Sequence, residues 1–74
     1  MKYSEQLRTL IGKEGGIFWG NPPFYFDLSD SLDGRMHKIV DIGDDYVIIE
    51  KSRGEFKGNR RTIPLNLFIV KGNY

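Results

Sequence analysis

Between Gly34 and Glu50 two β-rich runs flank a tight Gly43-Asp44-Asp45 turn, and the apolar pattern of the first run constrains the fold most. Its apolar set, Met36, Ile39, Val40 and Ile42, is not a clean alternation. A strand has a side-chain period of two, so one extra residue near Ile39–Val40 restores the pattern and bends the strand. After the turn, Val47 and Ile49 fall on one face and Tyr46, Ile48 and Glu50 on the other. Two more strands are expected at 61–65 and 67–71, around a tight turn near Pro64–Asn66. A bent hairpin followed by short strands predicts a mainly β domain curled into a small barrel.

Upstream, residues 3–11 read as a short helix, because Tyr3, Leu7, Leu10 and Ile11 share one helical face. Ser4 serves as its N-cap and Gly12 as its stop. Two turns of helix are unstable alone, so the apolar face must dock, and the open end of a barrel offers a place. A first strand is expected over 13–20, centred on Ile17, Phe18 and Trp19. Asn21-Pro22-Pro23 breaks it, since proline donates no ladder hydrogen bond. Phe24-Tyr25-Phe26 resumes an extended run, and Asp27 to Asp33 is rich in turn formers. Residues 20–33 as a whole read as a loop or insertion.

With 74 residues the chain reads as one domain, 1–74, whose core is small. There is no cysteine and only one histidine, which removes disulfides, thiolate sites and histidine-rich metal centres. Oligomerisation is the remaining means of reinforcing so small a core. A net charge of +1 does not favour a strong nucleic-acid binder but leaves room for a local basic patch. Met1–Leu10 lacks an apolar signal-peptide segment and no run suits a bilayer, so a soluble cytoplasmic protein without membrane partners is expected.

A helix followed by five short strands, one strongly bent, resembles the Sm/LSm superfamily. Tyr3–Ile11 resembles its N-terminal helix, and Leu10-Ile11-Gly12-Lys13 the exit into the first strand. Asp33-Gly34 to Glu50 resembles the first Sm motif, and Ile63 to Val70 the two closing strands. The resemblance implies a five-stranded, strongly bent barrel, with an SH3-like barrel as the alternative. It also implies a homo-oligomer in which strand 61–65 of one subunit pairs with 67–71 of the next, and contact with single-stranded RNA. Asp41 matches the aspartate that orders an RNA-facing loop in family members. The Lys-His pair of the bacterial Sm-like RNA chaperone is absent, Arg61-Thr62 standing there instead. In a competing register Lys71-Gly72-Asn73 resembles the Arg-Gly-Asn loop of the second Sm motif, but the chain then ends before a fifth strand.

The acidic stretch Asp27, Asp30, Asp33 fails as a calcium loop. With Gly34 at the glycine position, a serine stands first and Val40 stands where a bidentate glutamate belongs. His37 has no nucleophile or base spaced to work with it and reads as a surface or interface residue. No catalytic constellation or cofactor motif is present, so a non-catalytic binding module is expected. Lys51, Arg53, Lys57, Arg60 and Arg61 flank Phe56, a combination suited to gripping phosphates while stacking a base. Of these, Arg53, Phe56, Lys57, Arg60 and Arg61, together with Asp41, are the RNA-contact candidates. Trp19, Phe24, Tyr25 and Phe26 exceed what one sheet face can hide and are the candidates for a protein interface, the alternative function.

Overall fold

The computed structural model describes residues 3–71, with side chains from Glu5 onward; Gly72 and Asn73 of the competing motif lie outside the described residues. One helix, α1 (Tyr3–Arg8), precedes six strands: β1 (Glu14–Phe18), β2 (Phe24–Asp27), β3 (Met36–Ile42), β4 (Tyr46–Lys51), β5 (Arg60–Pro64) and β6 (Phe68–Lys71). They form one sheet in the order β5-β4-β3-β1-β2-β6. All pairings are antiparallel except β2 with β6, which is parallel. No helix among the described residues is long and apolar enough to cross a membrane.

The five-stranded barrel expected from sequence is therefore corrected to a six-stranded mixed sheet that is curled but not closed by hydrogen bonds. The extra strand lies inside the stretch 20–33 read as a loop. Phe24–Asp27 pairs with β1 on one side and with β6 on the other, so Phe26 turns into the core opposite Ile17 and Val70. Pro22-Pro23, joined by a cis peptide, stands before this strand rather than excluding one.

The curl follows from chain length. β5 and β6 are opposite edges of the sheet, which laid flat would set them about 24 Å apart at about 4.8 Å per strand. Only Leu65–Leu67, a single 3-10 turn, connects them, and so short a link spans at most about 14 Å. The sheet must bend round to let that link close. The bend is aided by an irregularity in β3, where Ile39 faces Ile49 but Asp41 faces Ile48, leaving Val40 as the extra residue. The bulge lies where the residue pattern placed it.

Inside the curl, Ile17, Phe26, Ile39, Val47, Ile49 and Phe68 are buried at 1% exposure or less. The Phe26 and Phe68 rings meet at 5.6 Å between centroids. Leu7 and Leu10 of the N-terminal segment join the same cluster. Ile11 does not: the helix ends at Arg8, so helical spacing no longer carries Ile11 to the core, and it stays exposed. Gly12, at φ +91°, turns the chain and donates its N–H to the Ile39 carbonyl at 2.8 Å, tying the helix exit to β3 beside the bulge.

Candidate functional site

The core-facing parity of three strands continues past the end of the apolar core. On β3 it runs from Ile39 to His37, on β4 from Ile49 to Lys51, and on β5 from Ile63 to Arg61. Register sets His37 opposite Lys51, and Ile49 opposite Arg61. The three polar side chains are thus gathered at one end of the curl. Together with Trp19, Gly34, Phe56 and Asn59 they line a cleft of about 320 Å³. No carboxylate lines it.

Trp19, just beyond β1, is the hub of the cleft. Its ring meets Phe24 edge-on at 5.3 Å and His37 at 5.9 Å, and the Arg61 guanidinium lies 5.0 Å from its centroid. The last contact connects edge strand β5 to the β1–β2 connection by a cation resting on the indole face. Trp19 keeps 44% of its surface exposed and Phe56 keeps 63%, so two aromatic surfaces remain open to a ligand.

Lys51 is 8% exposed. Its Nζ donates to the carbonyls of Asp33 at 2.9 Å and Gly34 at 2.7 Å, in the 3-10 turn Asp33–Arg35 that precedes β3. The loop after Lys51 is closed on its backbone: Lys51 N–H donates to the Asn59 carbonyl, and Gly58 N–H to the Lys51 carbonyl, both at 2.8 Å. Gly54 and Gly58 take the positive φ values this tight loop needs, +88° and +98°. Phe56 is carried on the loop they shape.

His37 corrects an expectation, being a cleft residue at 6% exposure rather than a surface one, because the β3 register turns it inward. Its Nδ1 lies 2.9 Å from the Arg35 carbonyl, which can only accept, so Nδ1 carries the hydrogen and Nε2 is the bare acceptor. Among the described residues no buried polar side-chain atom lacks a partner, so Nε2, which has no protein partner, is reached by solvent. Burial holds the imidazole below its ordinary pKa, and the neighbouring Lys51 and Arg61 charges push the same way against the Arg35 carbonyl bond.

The structure brings together only part of the RNA-contact set. Phe56 and Arg61 line the cleft, and Lys57 is exposed beside Phe56. Arg53 is bound by carboxylates, its Nε 3.2 Å from Glu14 and its Nη1 3.1 Å from Asp33. Arg60 is held by Glu50 at 3.0 Å on the outer face, where Glu50 also faces Lys38 at 3.6 Å. Asp41 lies toward the opposite end of the β3–β4 hairpin, in a second cavity of about 510 Å³ with Arg8, Asp44 and Asp45.

Of the protein-interface set, Trp19 is open at the cleft and Phe24 is half-buried behind it. Tyr25 is half-buried on the outer face, with the Lys71 ammonium 4.4 Å from its ring. Phe26 is wholly buried and unavailable to any partner, because alternation along β2 turns it inward. Sequence reasoning counted Lys51 in the basic cluster without choosing it as a contact, and it did not bring His37, Asn59 or Gly34 to the site. For Lys51 a signal existed: it has the inward parity of Val47 and Ile49, a lysine where an apolar residue belongs.

On the outer face, Asp30 takes two hydrogen bonds from Arg35, at 2.8 and 3.0 Å. The pair covers buried Gly16, where an added Cβ would run into the Asp30 carboxylate. Arg35 also sits 4.7 Å from the Phe18 centroid. The hydrogen bond from Arg35 lowers the Asp30 pKa.

No protein-family model matches this chain, and neither a curated protein nor a solved structure matches it.

Proposed function

We propose that this chain is a non-catalytic binding module that takes single-stranded RNA at the Trp19–Phe56–Arg61 cleft. One observation carries the reading: two exposed aromatic surfaces and two cations converge on a cleft whose lining holds no acid. Stacking serves any base, and cations serve the phosphates between them, which is the economy of single-strand binding. The Sm-like resemblance supports it in outline, through α1, the bulged β3 and the strands that follow; β2 departs from that pattern. The strands expected to meet across subunits, β5 and β6, stand at the two ends of the strand order among the described residues.

The test is titration with a single-stranded RNA of roughly ten nucleotides, followed by Trp19 emission and repeated at several salt concentrations. Binding should quench or shift the emission and weaken as salt rises. Arg61→Glu should weaken it far more than Arg60→Glu, since Arg60 is committed to Glu50. Unchanged emission with RNA, together with a shift on adding a protein partner, would transfer the site to protein recognition. The exposure of Trp19 and the near-neutral net charge favour that second reading.

A further inference from the structure

We infer that Lys51 is a phosphate anchor: a buried ammonium with no counter-ion among the described residues, lining the cleft, that takes its counter-ion from the phosphate of a bound nucleotide. The inference rests on the proposed RNA reading and adds which ligand group is held, and by which side chain.

Lysine is rarely buried unless paired, because its charge loses water on burial. The cations that do meet carboxylates are all far more exposed, at 38–61% of their side-chain surface. Arg35 meets Asp30, Arg53 meets Glu14 and Asp33, and Arg60 and Lys38 share Glu50. Lys51 is more deeply buried than any of them, yet among the described residues no carboxylate lies within ion-pair distance of it. The acid nearest in the chain to its anchor points, Asp33, offers Lys51 only a backbone carbonyl and gives its carboxylate to Arg53.

Two carbonyls orient the ammonium and occupy two of its three N–H donors. They do not neutralise it. The other charged group lining the cleft is Arg61, a second cation. An anion entering here therefore meets a fixed donor, a second positive charge and no repelling acid. A cleft of about 320 Å³ is at the small end for ligand sites, room for one nucleotide unit rather than a run. With an aromatic ring on Trp19 or Phe56, the phosphate of that unit is the group placed to reach Lys51.

The test compares adenosine, adenosine monophosphate and the dinucleoside monophosphate ApA on the full chain, by Trp19 emission. Melting in phosphate against chloride at equal ionic strength is measured alongside. Adenosine monophosphate, ApA or both should bind at least about tenfold tighter than adenosine. Phosphate should raise the melting temperature above its value in chloride by more in the parent than in Lys51→Met, because phosphate also stabilises any fold by exclusion from its surface. Gain with the monophosphate assigns a terminal phosphate, and gain with ApA an internal phosphodiester only where Lys51→Met abolishes it, because ApA also brings a second base to stack. Lys51→Met, similar in length but uncharged, should lose the phosphate gain, so that adenosine and the phosphate compounds bind it equally. Equal binding of adenosine and both phosphate compounds overturns the anchor, as does a gain that survives Lys51→Met. Should that variant not fold, the wild-type comparison of adenosine with its monophosphate still decides. If the roughly ten-nucleotide RNA binds while phosphate adds nothing, the anchor alone fails; if neither RNA nor nucleotide binds, the RNA reading fails with it.

Discussion

Gly15 lies on the inward face of β1, opposite His37, and is buried beneath the Phe26 ring. A Cβ added there would stand 2.9 Å from Phe26 Cζ, 3.1 Å from Cε1 and 2.8 Å from the Asp27 carbonyl oxygen. The ring cannot retreat, because Phe26 is wholly buried and packs on Phe68. Overpacking of this kind costs about 1–3 kcal/mol. Against it, replacing glycine with alanine restricts the unfolded chain, a gain of about 0.4–1 kcal/mol. Gly15→Ala should therefore destabilise by about 1–2 kcal/mol, with each kcal/mol lowering the melting temperature by about 4–8 °C at this size. Phe26→Leu removes the offending ring atoms and alone costs about 1–2 kcal/mol through the space it leaves. Combined, the two changes should be less damaging than their sum by about 1 kcal/mol, the residue of strain being the clash with the fixed Asp27 carbonyl. Urea melts followed by Trp19 emission and by circular dichroism measure all four corners of the cycle. If Gly15→Ala is as stable as the parent, or the two changes simply add, then Phe26 does not rest on Gly15 and the packing of the curl is wrong.

His37 is held below the ordinary imidazole pKa of 6.5 by burial, so the unfolded chain binds its proton first as pH falls. Its contribution to stability is present above 6.5 and is lost between there and the lower folded value. Melting temperature should decline over that window, and His37→Gln should flatten the decline. Asp30 titrates below the carboxylate reference of 3.8 because Arg35 donates to it, so its contribution is present above that value and fades as pH falls further. Asp30→Asn should lower the neutral-pH melting temperature and shorten the acid limb of a pH–stability curve, which a pH series of thermal melts would show. Deleting Val40 removes the extra residue of the bulge and leaves Ile39, Asp41 and Ile42 in plain alternation against Ile49, Ile48 and Val47, so β3 keeps its inward face but loses the local bend that the curl uses. The deletion variant should lose its cooperative urea transition; retention of one would refute the bulge as the source of the bend.

The β3–β4 hairpin was readable because its information is local: an interrupted alternation, a Gly-Asp-Asp turn, and inward parity at Val47 and Ile49. The bulge follows from counting. β2 was not readable in the same way. Phe24-Tyr25-Phe26 looks extended, but a four-residue strand needs partners, and one of these is the distant β6 in a parallel pairing that leaves no mark in the sequence. Of the candidate site, Phe56, Arg61 and Trp19 were legible from residue type. What residue type cannot tell is which cations are already taken. Arg53 and Arg60 look like Arg61 in the sequence, yet acids brought in from other strands and turns hold them. His37 and Lys51 meet in the site through strand register, and their depth depends on how the sheet curls over them.

The parallel ladder between β2 and β6 also shapes how the molecule assembles. The antiparallel contacts of β3 with β4 and β4 with β5 join near neighbours and can form early, as hairpins do. Phe24 and Phe68 are roughly forty residues apart, and joining them means closing a long loop before any contact rewards it. Until β6 arrives, β2 is a bare aromatic edge, with Phe24 and Phe26 unshielded by Phe68 and Val70. Such an edge pairs readily with another chain. The four residues of β6 thus act as a clasp: whatever keeps them off β2 leaves that aromatic edge open to pairing with another chain.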